Sequence, residues 1–196
     1  MIPFMKKNKL FTIVLLFTIV VFLSGLFVSF LLDNSIKEQV NSNIINLLND
    51  IKNNHITFSS LVKSILSRNI IFLVIIWIFG ISIIGVIVSF LFYFLEVFLF
   101  SMEISFLIIN YHNVSLIFSL LYIIPIFLRI LVFFFLVYYS CSFSIILIRL
   151  LFLKQDFPIK VIFKRYLKLL LLFFILVIFL GFFEALITNK ILMYFI

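Results

Sequence analysis

The sequence predicts an all-α membrane protein: a polytopic helical bundle of five transmembrane helices, with a half-helix and outer amphipathic helices. Hydrophobic residues make up 66% of the 196 residues, only 11% are charged, and the mean hydropathy is +1.43. They are gathered in blocks long enough for membrane-spanning helices, which need about 20 residues each. A water-soluble fold of this size could not bury so much apolar surface. We therefore expect one integral membrane domain over residues 1–196.

The first span is predicted at residues 10–32. Lys6, Lys7 and Lys9 precede it, as in a signal peptide. However, the apolar stretch is longer than the roughly 7–15 residues of a signal peptide, and it lacks a cleavage site with small residues. We therefore expect an uncleaved membrane anchor.

A hydrophilic outer segment, residues 35–66, follows the first span. Ser35 and Glu38 have the spacing of a capping box at a helix start. Apolar residues recur at helical spacing after it, first at Ile36, Val40, Ile44, Leu47, Leu48 and Ile51, and then at Phe58, Leu61, Val62, Ile65 and Leu66. The pattern predicts two amphipathic helices on the membrane surface or packed on the bundle.

The remaining spans are predicted at residues 70–92, 97–112, 126–152 and 167–183. Residues 70–112 have the length of a tight helical hairpin with its turn at 93–96. Residues 113–152 are too long for one span, and Pro125 divides them. Because proline disrupts a helix interior, we expect a half-helix over 114–124 that does not cross the membrane.

Charge predicts the topology. The formal net charge is +8, and basic residues collect in the cytoplasmic loops of membrane proteins. Lys6, Lys7 and Lys9 form one basic cluster, and the other comprises Arg149, Lys154, Lys160, Lys164, Arg165 and Lys168. An even number of crossings between the clusters puts both in the cytoplasm. The N-terminus is then inside, and the C-terminus and the outer segment are outside.

A charged residue inside a membrane span costs roughly 2.5–3.5 kcal/mol on insertion scales, so Glu96, Glu103 and Arg129 are candidates for a function. Glu96 and Glu103 share one helix face, with Glu103 near mid-depth and Glu96 near the predicted turn. Arg129 lies one turn past Pro125, within reach of Glu103. The pair is either part of a proton or ion relay or a buried ion pair that orients two helices, and the second interpretation is favoured.

No catalytic or cofactor-binding site is predicted. The two histidines, His55 and His112, have no cysteine or carboxylate at metal-ligand spacing, and Cys141 is the only cysteine, so an intrachain disulfide is excluded. Gly80 and Gly85 are interpreted as points of close helix contact. We expect a protein that is not an enzyme and binds neither metal nor cofactor.

Three segments resemble the stage II sporulation protein M family. The run WIFGISIIG, from Trp77 to Gly85, is similar to the second span of that family, and Asn69 matches an asparagine at the start of that span. The run GFFEA, from Gly181 to Ala185, resembles an F-E-A motif near the outer end of the last span, at Glu184. The length, the five spans and the long first outer loop also match.

The resemblance implies a non-catalytic scaffold that holds the stage II sporulation proteins D and P, which degrade the cell wall, at the septum of the mother cell during engulfment. On this interpretation the outer amphipathic helix is the docking element, with Ile44 and Leu48 as its anchors and the region of Glu184 as the alternative. The rival class is a permease or transporter subunit that uses Glu103, Arg129 and the broken helix at Pro125. A lipid-modifying enzyme ranks third.

Overall fold

The computed structural model describes residues 4–33, 57–110, 116–154 and 158–195, together with Ser35, Gln39 and Ser42. Its helices are α1 (Phe4–Leu31), α2 (Phe58–Gly80), α3 (Gly85–Asn110), α4 (Leu116–Leu153) and α5 (Ile159–Phe195). All five are long and apolar enough to cross a membrane. The predicted all-α class with five membrane-length helices is confirmed, as expected of a multi-pass membrane protein.

Contacts between the helices give their relative directions. The side chains of Thr18 and Ser29 on α1 form hydrogen bonds with Tyr93 and Ser105 on α3. The contacts follow the same order along both helices, so α1 and α3 run parallel. Glu96 and Ser89 of α3 meet successively later positions of α4, so these two helices run antiparallel. Ser140 and Ser144 of α4 bond to Ile76 and Gly80 of α2 in the same order, so α2 and α4 run parallel, and the contacts of α2 with α5 run in the opposite order. Successive helices therefore alternate in direction, and α4 is the most buried of them.

The start of α2 corrects the predicted outer segment. The helix begins at Phe58, where the hydroxyl of the N-cap residue Thr57 accepts a hydrogen bond from the amide of Ser60. The second predicted amphipathic helix is thus the first part of the second membrane-length helix, which was expected to begin only at residue 70. The first amphipathic stripe, with Ile44 and Leu48, lies outside the described residues.

The α2–α3 turn corrects the predicted hairpin. It lies at residues 81–84, between Gly80 and Gly85, rather than at 93–96. The carbonyl of Phe79 stabilises it by accepting hydrogen bonds from both the amide and the hydroxyl of Ser82, at 2.8 and 2.7 Å. The residues predicted to form the turn are instead in the middle of α3, where Tyr93 and Glu96 are buried.

Pro125 does not interrupt α4, which is helical from Leu116 to Leu153. The predicted half-helix and span are therefore one helix within the described residues. Membrane helices tolerate proline where neighbouring helices surround the freed backbone groups, and Pro125 is fully buried. The last predicted span is likewise only the middle of α5.

One end of the bundle is basic. Ser144 of α4 and Tyr166 of α5 bond to the backbone of α2 at Gly80 and Trp77, close to the 81–84 turn. Both helices extend beyond this level, and their extensions carry exposed or partly exposed basic residues: Arg149, Lys154, Lys160, Lys164 and Arg165. Because α1 and α3 run parallel, Lys9 lies at the same end. We call this end the basic face.

Candidate functional site

Four helices place charged side chains together in the middle of the bundle. The Nη1 atom of Arg129 donates hydrogen bonds to both carboxylate oxygens of Glu184, at 2.7 and 2.9 Å. Its Nη2 atom lies 3.6 Å from Oε2 of Glu96. Arg68 on α2 also approaches Glu184, with Nη2 and Oε1 3.5 Å apart. We call these four residues the central ion-pair cluster.

The cluster is largely shielded from its surroundings. Arg129 is 3% exposed, and Glu96 and Glu184 are each 5% exposed. Arg68 differs, because 47% of its side chain is exposed. Two arginines face two glutamates, so the formal charges of the four side chains balance. A buried charge that lost its partner in such a setting would be strongly destabilising.

The cluster lies at mid-depth. Asn69, next to Arg68, is eleven residues after Phe58 and eleven before Gly80 on α2. Glu96 is eleven residues after Gly85, where α3 begins, and nine before Ser105, where its apolar part ends. At 1.5 Å per residue these positions are about 14–16 Å from the ends of the apolar segments. They are therefore close to the centre of a hydrocarbon core about 30 Å thick.

The predicted pairing of Glu103 with Arg129 is corrected. Arg129 pairs with Glu184 and Glu96, and Glu103 forms no salt bridge with any described residue. The physical reason is the position of the α2–α3 turn. Because the turn is at residues 81–84, Glu96 is the residue at mid-depth, and Glu103 lies about two helical turns nearer the opposite membrane surface.

Asn69 borders the cluster and is fully buried on α2. Neither its amide nitrogen nor its amide oxygen has a hydrogen-bond partner in the described part of the chain, and the same holds for Nε of Arg129. A methyl group built on Gly181, on the facing side of α5, would lie 3.7 Å from the Asn69 nitrogen. Asn69 and the GFFEA run, which are far apart in sequence, are therefore neighbours.

A second polar group lies nearer the basic face, and we call it the inner serine cluster: Ser89, Ser140, Ser144 and Tyr166. Ser140 donates a hydrogen bond to the carbonyl of Ile76, at 3.0 Å, and shares one with Ser89, at 2.9 Å. Ser144 donates to the carbonyl of Gly80, at 2.8 Å, and the Tyr166 hydroxyl to that of Trp77, at 3.1 Å.

Gly80 and Gly85 lie directly against the inner serine cluster. A methyl group on Gly80 would overlap Tyr166 and Ser140, and one on Gly85 would overlap Ser144 and the carbonyl of Phe79. The hydrogen bonds of the inner serine cluster join α2, α3, α4 and α5 at one level of the bundle. The cluster therefore fixes the α2–α3 turn against the two long helices.

The structure thus divides the predicted site residues into groups. Asn69, Arg129 and Glu184 come together at the centre, with Pro125 one turn from Arg129 on α4. Gly80 and Gly85 belong to the inner serine cluster, and Glu103 joins neither group. Sequence reasoning missed Arg68 and Glu96 as members of the central cluster. Each of these two residues is charged and lies inside a membrane-length helix, and that combination is the sequence signal that could have identified them.

Among the residues that the structure describes, no group of three or more histidine, cysteine or acidic side chains could hold a metal ion. Comparison of the chain with family models, with curated proteins and with solved structures gave no match.

Proposed function

We propose that the protein is a non-catalytic membrane scaffold that recruits and holds peptidoglycan-degrading enzymes at the septum during engulfment in endospore formation. One observation carries the proposal. The positions that resemble the stage II sporulation protein M family, Asn69, Gly80, Gly85 and Glu184, all lie in or beside the two polar clusters that join the helices. A motif whose residues fix helices together suits a protein that holds other proteins in place.

The chemistry of the central cluster supports this function. Arg129 uses one nitrogen to bond both oxygens of Glu184 and is also close to Glu96, so it links α3, α4 and α5. Arg68 adds α2 through Glu184. Polar side chains that bond across membrane helices specify how those helices pack. A rigid bundle presents partner-binding surfaces in a fixed arrangement, and the partners by resemblance are the D and P proteins.

We infer that the basic face is cytoplasmic, because lysine and arginine accumulate on that side of membranes. Five crossings then place the C-terminal end of α5 outside, on the side where cell-wall enzymes act. The end of α1 at Asp33 and the start of α2 at Phe58 are outside as well.

This orientation predicts opposite labelling of two introduced cysteines. Asp33→Cys, at the outer end of α1, should react with an impermeant thiol reagent in intact cells. Lys160→Cys, on the basic face, should react only after the cells are permeabilised. Both positions are exposed, and the native Cys141 is buried and serves as the background. Labelling of both cysteines from the same side would contradict the five-span topology.

A permease or transporter subunit is the second candidate, and Asn69 is the observation that favours it. The Asn69 amide has no hydrogen-bond partner among the described residues and lies beside Gly181, three residues before Glu184, and a buried amide of this kind is the type of group that binds a polar solute. In this alternative the charged residues of the solute site are Arg129 and Glu184, instead of Arg129 with Glu103.

Deletion of the gene in sporulating cells distinguishes the two functions. For a scaffold we expect engulfment to arrest and the D and P proteins to spread away from the septum, as followed by fluorescence microscopy. The wild-type gene supplied in trans is the control and should restore both. Normal engulfment with septal enzymes still in place would reject the scaffold, and a lost uptake phenotype would then support the transporter.

A further inference from the structure

The first half of α2 carries a polar stripe on its exposed face. Its members recur at helical spacing and are all exposed: Ser59, Ser60, Lys63, Ser64, Ser67 and Arg68. The first and the last are nine positions apart, which is about 14 Å along the helix at 1.5 Å per residue. We call these six residues the polar stripe.

The polar stripe ends at mid-depth. Beyond Arg68 the same face becomes apolar, with exposed Ile71, Val74 and Ile78. Apolar side chains in the second half of α2 can face the hydrocarbon core with no penalty in free energy. The polar half would place several hydroxyls and two cations against lipid in the outer half of the membrane, which is unfavourable. A second polar surface is therefore needed to cover it.

The size of the side chains indicates a helix as the covering element. Ser60 and Ser64 are four residues apart, as are Lys63 and Ser67. Of these two pairs, only Ser60 and Ser64 are both small, and a pair of small residues at this spacing lets a second transmembrane helix approach closely. The hydroxyls of Ser60 and Ser67 donate to the carbonyls of Thr57 and Ser64, at 2.7 and 3.0 Å, which leaves their oxygens free to accept hydrogen bonds.

The charges indicate what that helix carries. Lys63 and Arg68 are both positive, and the Arg68 contact with Glu184, at 3.5 Å, is longer than those of Arg129 with the same carboxylate. A second copy of this chain, packed through the same face about a two-fold axis, would bring like charges together. A carboxylate on a different helix would complement them.

We propose that the polar stripe is the docking surface for a transmembrane helix of another protein, which places a carboxylate beside Lys63 and Arg68 in the outer half of the bilayer. This inference rests on the proposed scaffold function and requires that the partner has a helix in the same membrane.

Designed helices test the surface without knowledge of the partner. The full-length protein, with a donor dye on Lys160→Cys, is reconstituted in phosphatidylcholine vesicles with an acceptor-labelled leucine–alanine transmembrane peptide. One peptide carries a glutamate in its outer third, a second carries glutamine there, and a third carries the glutamate in its inner third. We expect energy transfer to the first peptide at about tenfold lower peptide concentration than to the others.

Variants of the face locate the binding. Ser64→Leu/Ser67→Leu and Lys63→Gln should each abolish the preference for the outer glutamate, because they remove the close approach or the charge. Ile71→Leu/Val74→Leu changes the apolar half of the same face and should retain the preference. Equal transfer to the glutamate and glutamine peptides, or a preference that survives the stripe variants, overturns the proposal.

Other occupants give other results. If Ser64→Cys reacts with an impermeant thiol reagent as fast as Asp33→Cys does, the stripe faces water and the proposal fails. A disulfide between Ser64→Cys and Ile44→Cys within one chain makes the outer segment the occupant. If energy transfer occurs between donor- and acceptor-labelled copies of the protein and is lost in Ser64→Leu/Ser67→Leu, the occupant is a second copy. Either result also overturns the proposal.

Co-purification separates this inference from the proposed function. We expect the D or P protein to purify with the wild-type chain and with Ile71→Leu/Val74→Leu, but not with Ser64→Leu/Ser67→Leu. Equal recovery with the wild type and both variants would keep the scaffold and reject the stripe as its docking surface. No recovery with any of them, alongside an intact peptide preference, would reject the proposed partners and keep the stripe.

Discussion

Replacing Arg129 with glutamine is expected to lower the free energy of unfolding by about 3–5 kcal/mol and to reduce the amount of protein in the membrane. The substitution leaves Glu96 and Glu184, each 5% exposed, with only Arg68 as a cation. Glu96 then has no ion-pair partner among the described residues. The measurements are denaturant unfolding in detergent and quantitative immunoblotting of membranes.

A second substitution should rescue the variant in a specific way. Arg129→Gln/Glu96→Gln leaves Arg68 and Glu184, which are already 3.5 Å apart, so the remaining charges balance in contact. Arg129→Gln/Glu184→Gln leaves Arg68 and Glu96, which form no salt bridge. We therefore expect the first double variant to recover much of the lost stability and the second to recover little.

Glu103→Gln is the matched control, because Glu103 lies on the same helix as Glu96 and forms no salt bridge with a described residue. It should change stability far less than Glu184→Gln. Two results would contradict the assignment of the cluster: an Arg129→Gln protein as stable and abundant as the wild type, or a Glu103→Gln protein as unstable as Glu184→Gln.

The fold class and the number of membrane-length helices follow from the sequence alone. Hydropathy determines both, because a helix that spans about 30 Å of hydrocarbon must be apolar over about 20 residues. The first span, predicted at residues 10–32, is Lys9–Leu31 in the structure. Charged residues mark both ends of this helix: lysines precede the apolar stretch, and Asp33 follows it.

The ends of α2 and α3 could not be found in the same way. The turn between them is Ile81-Ser82-Ile83-Ile84, which is as apolar as a membrane span. Gly80 and Gly85 are the only turn signals, and the prediction assigned them to helix contacts instead. At the other end of α2, the polar stripe made the start of a membrane-length helix resemble a surface helix.

The error in the turn position also determined the error in the central cluster. A turn at residues 93–96 makes Glu103 the acid at mid-depth and places Glu96 at the membrane surface. Residue identity alone was sufficient to single out Arg129 as an intramembrane charge. Which acids meet it depends on how α3, α4 and α5 are aligned, and hydropathy carries no information about that alignment.

Replacing Gly85 with alanine is expected to destabilise the bundle by about 1–3 kcal/mol, the usual range for overpacking. The added methyl group would overlap the backbone carbonyl of Phe79, which already accepts two hydrogen bonds from Ser82 in the turn. A carbonyl in this position cannot move without weakening the turn. Denaturant unfolding in detergent measures the loss.

Gly181→Ala is the control that separates this overlap from the general effect of the substitution. Alanine favours a helix over glycine by about 1 kcal/mol, and this gain applies to both positions. At Gly181 the closest atom to the new methyl group is the end of the flexible Leu66 side chain. We therefore expect Gly181→Ala to be neutral or slightly stabilising.

Gly80→Ala provides a further distinction, because its methyl group would meet the side chains of Tyr166 and Ser140 and no turn carbonyl. Tyr166→Phe removes the hydroxyl that causes part of this overlap. It should cost about 1 kcal/mol in the wild type, through the lost hydrogen bond to Trp77, but less in the Gly80→Ala protein. Ser144→Ala should not reduce the stability loss caused by Gly85→Ala, because the Phe79 carbonyl stays in place. The contrary result would be an equal recovery of stability in Gly80→Ala/Tyr166→Phe and in Gly85→Ala/Ser144→Ala. It would mean that crowding of side chains, rather than the α2–α3 turn, limits the packing at the basic face.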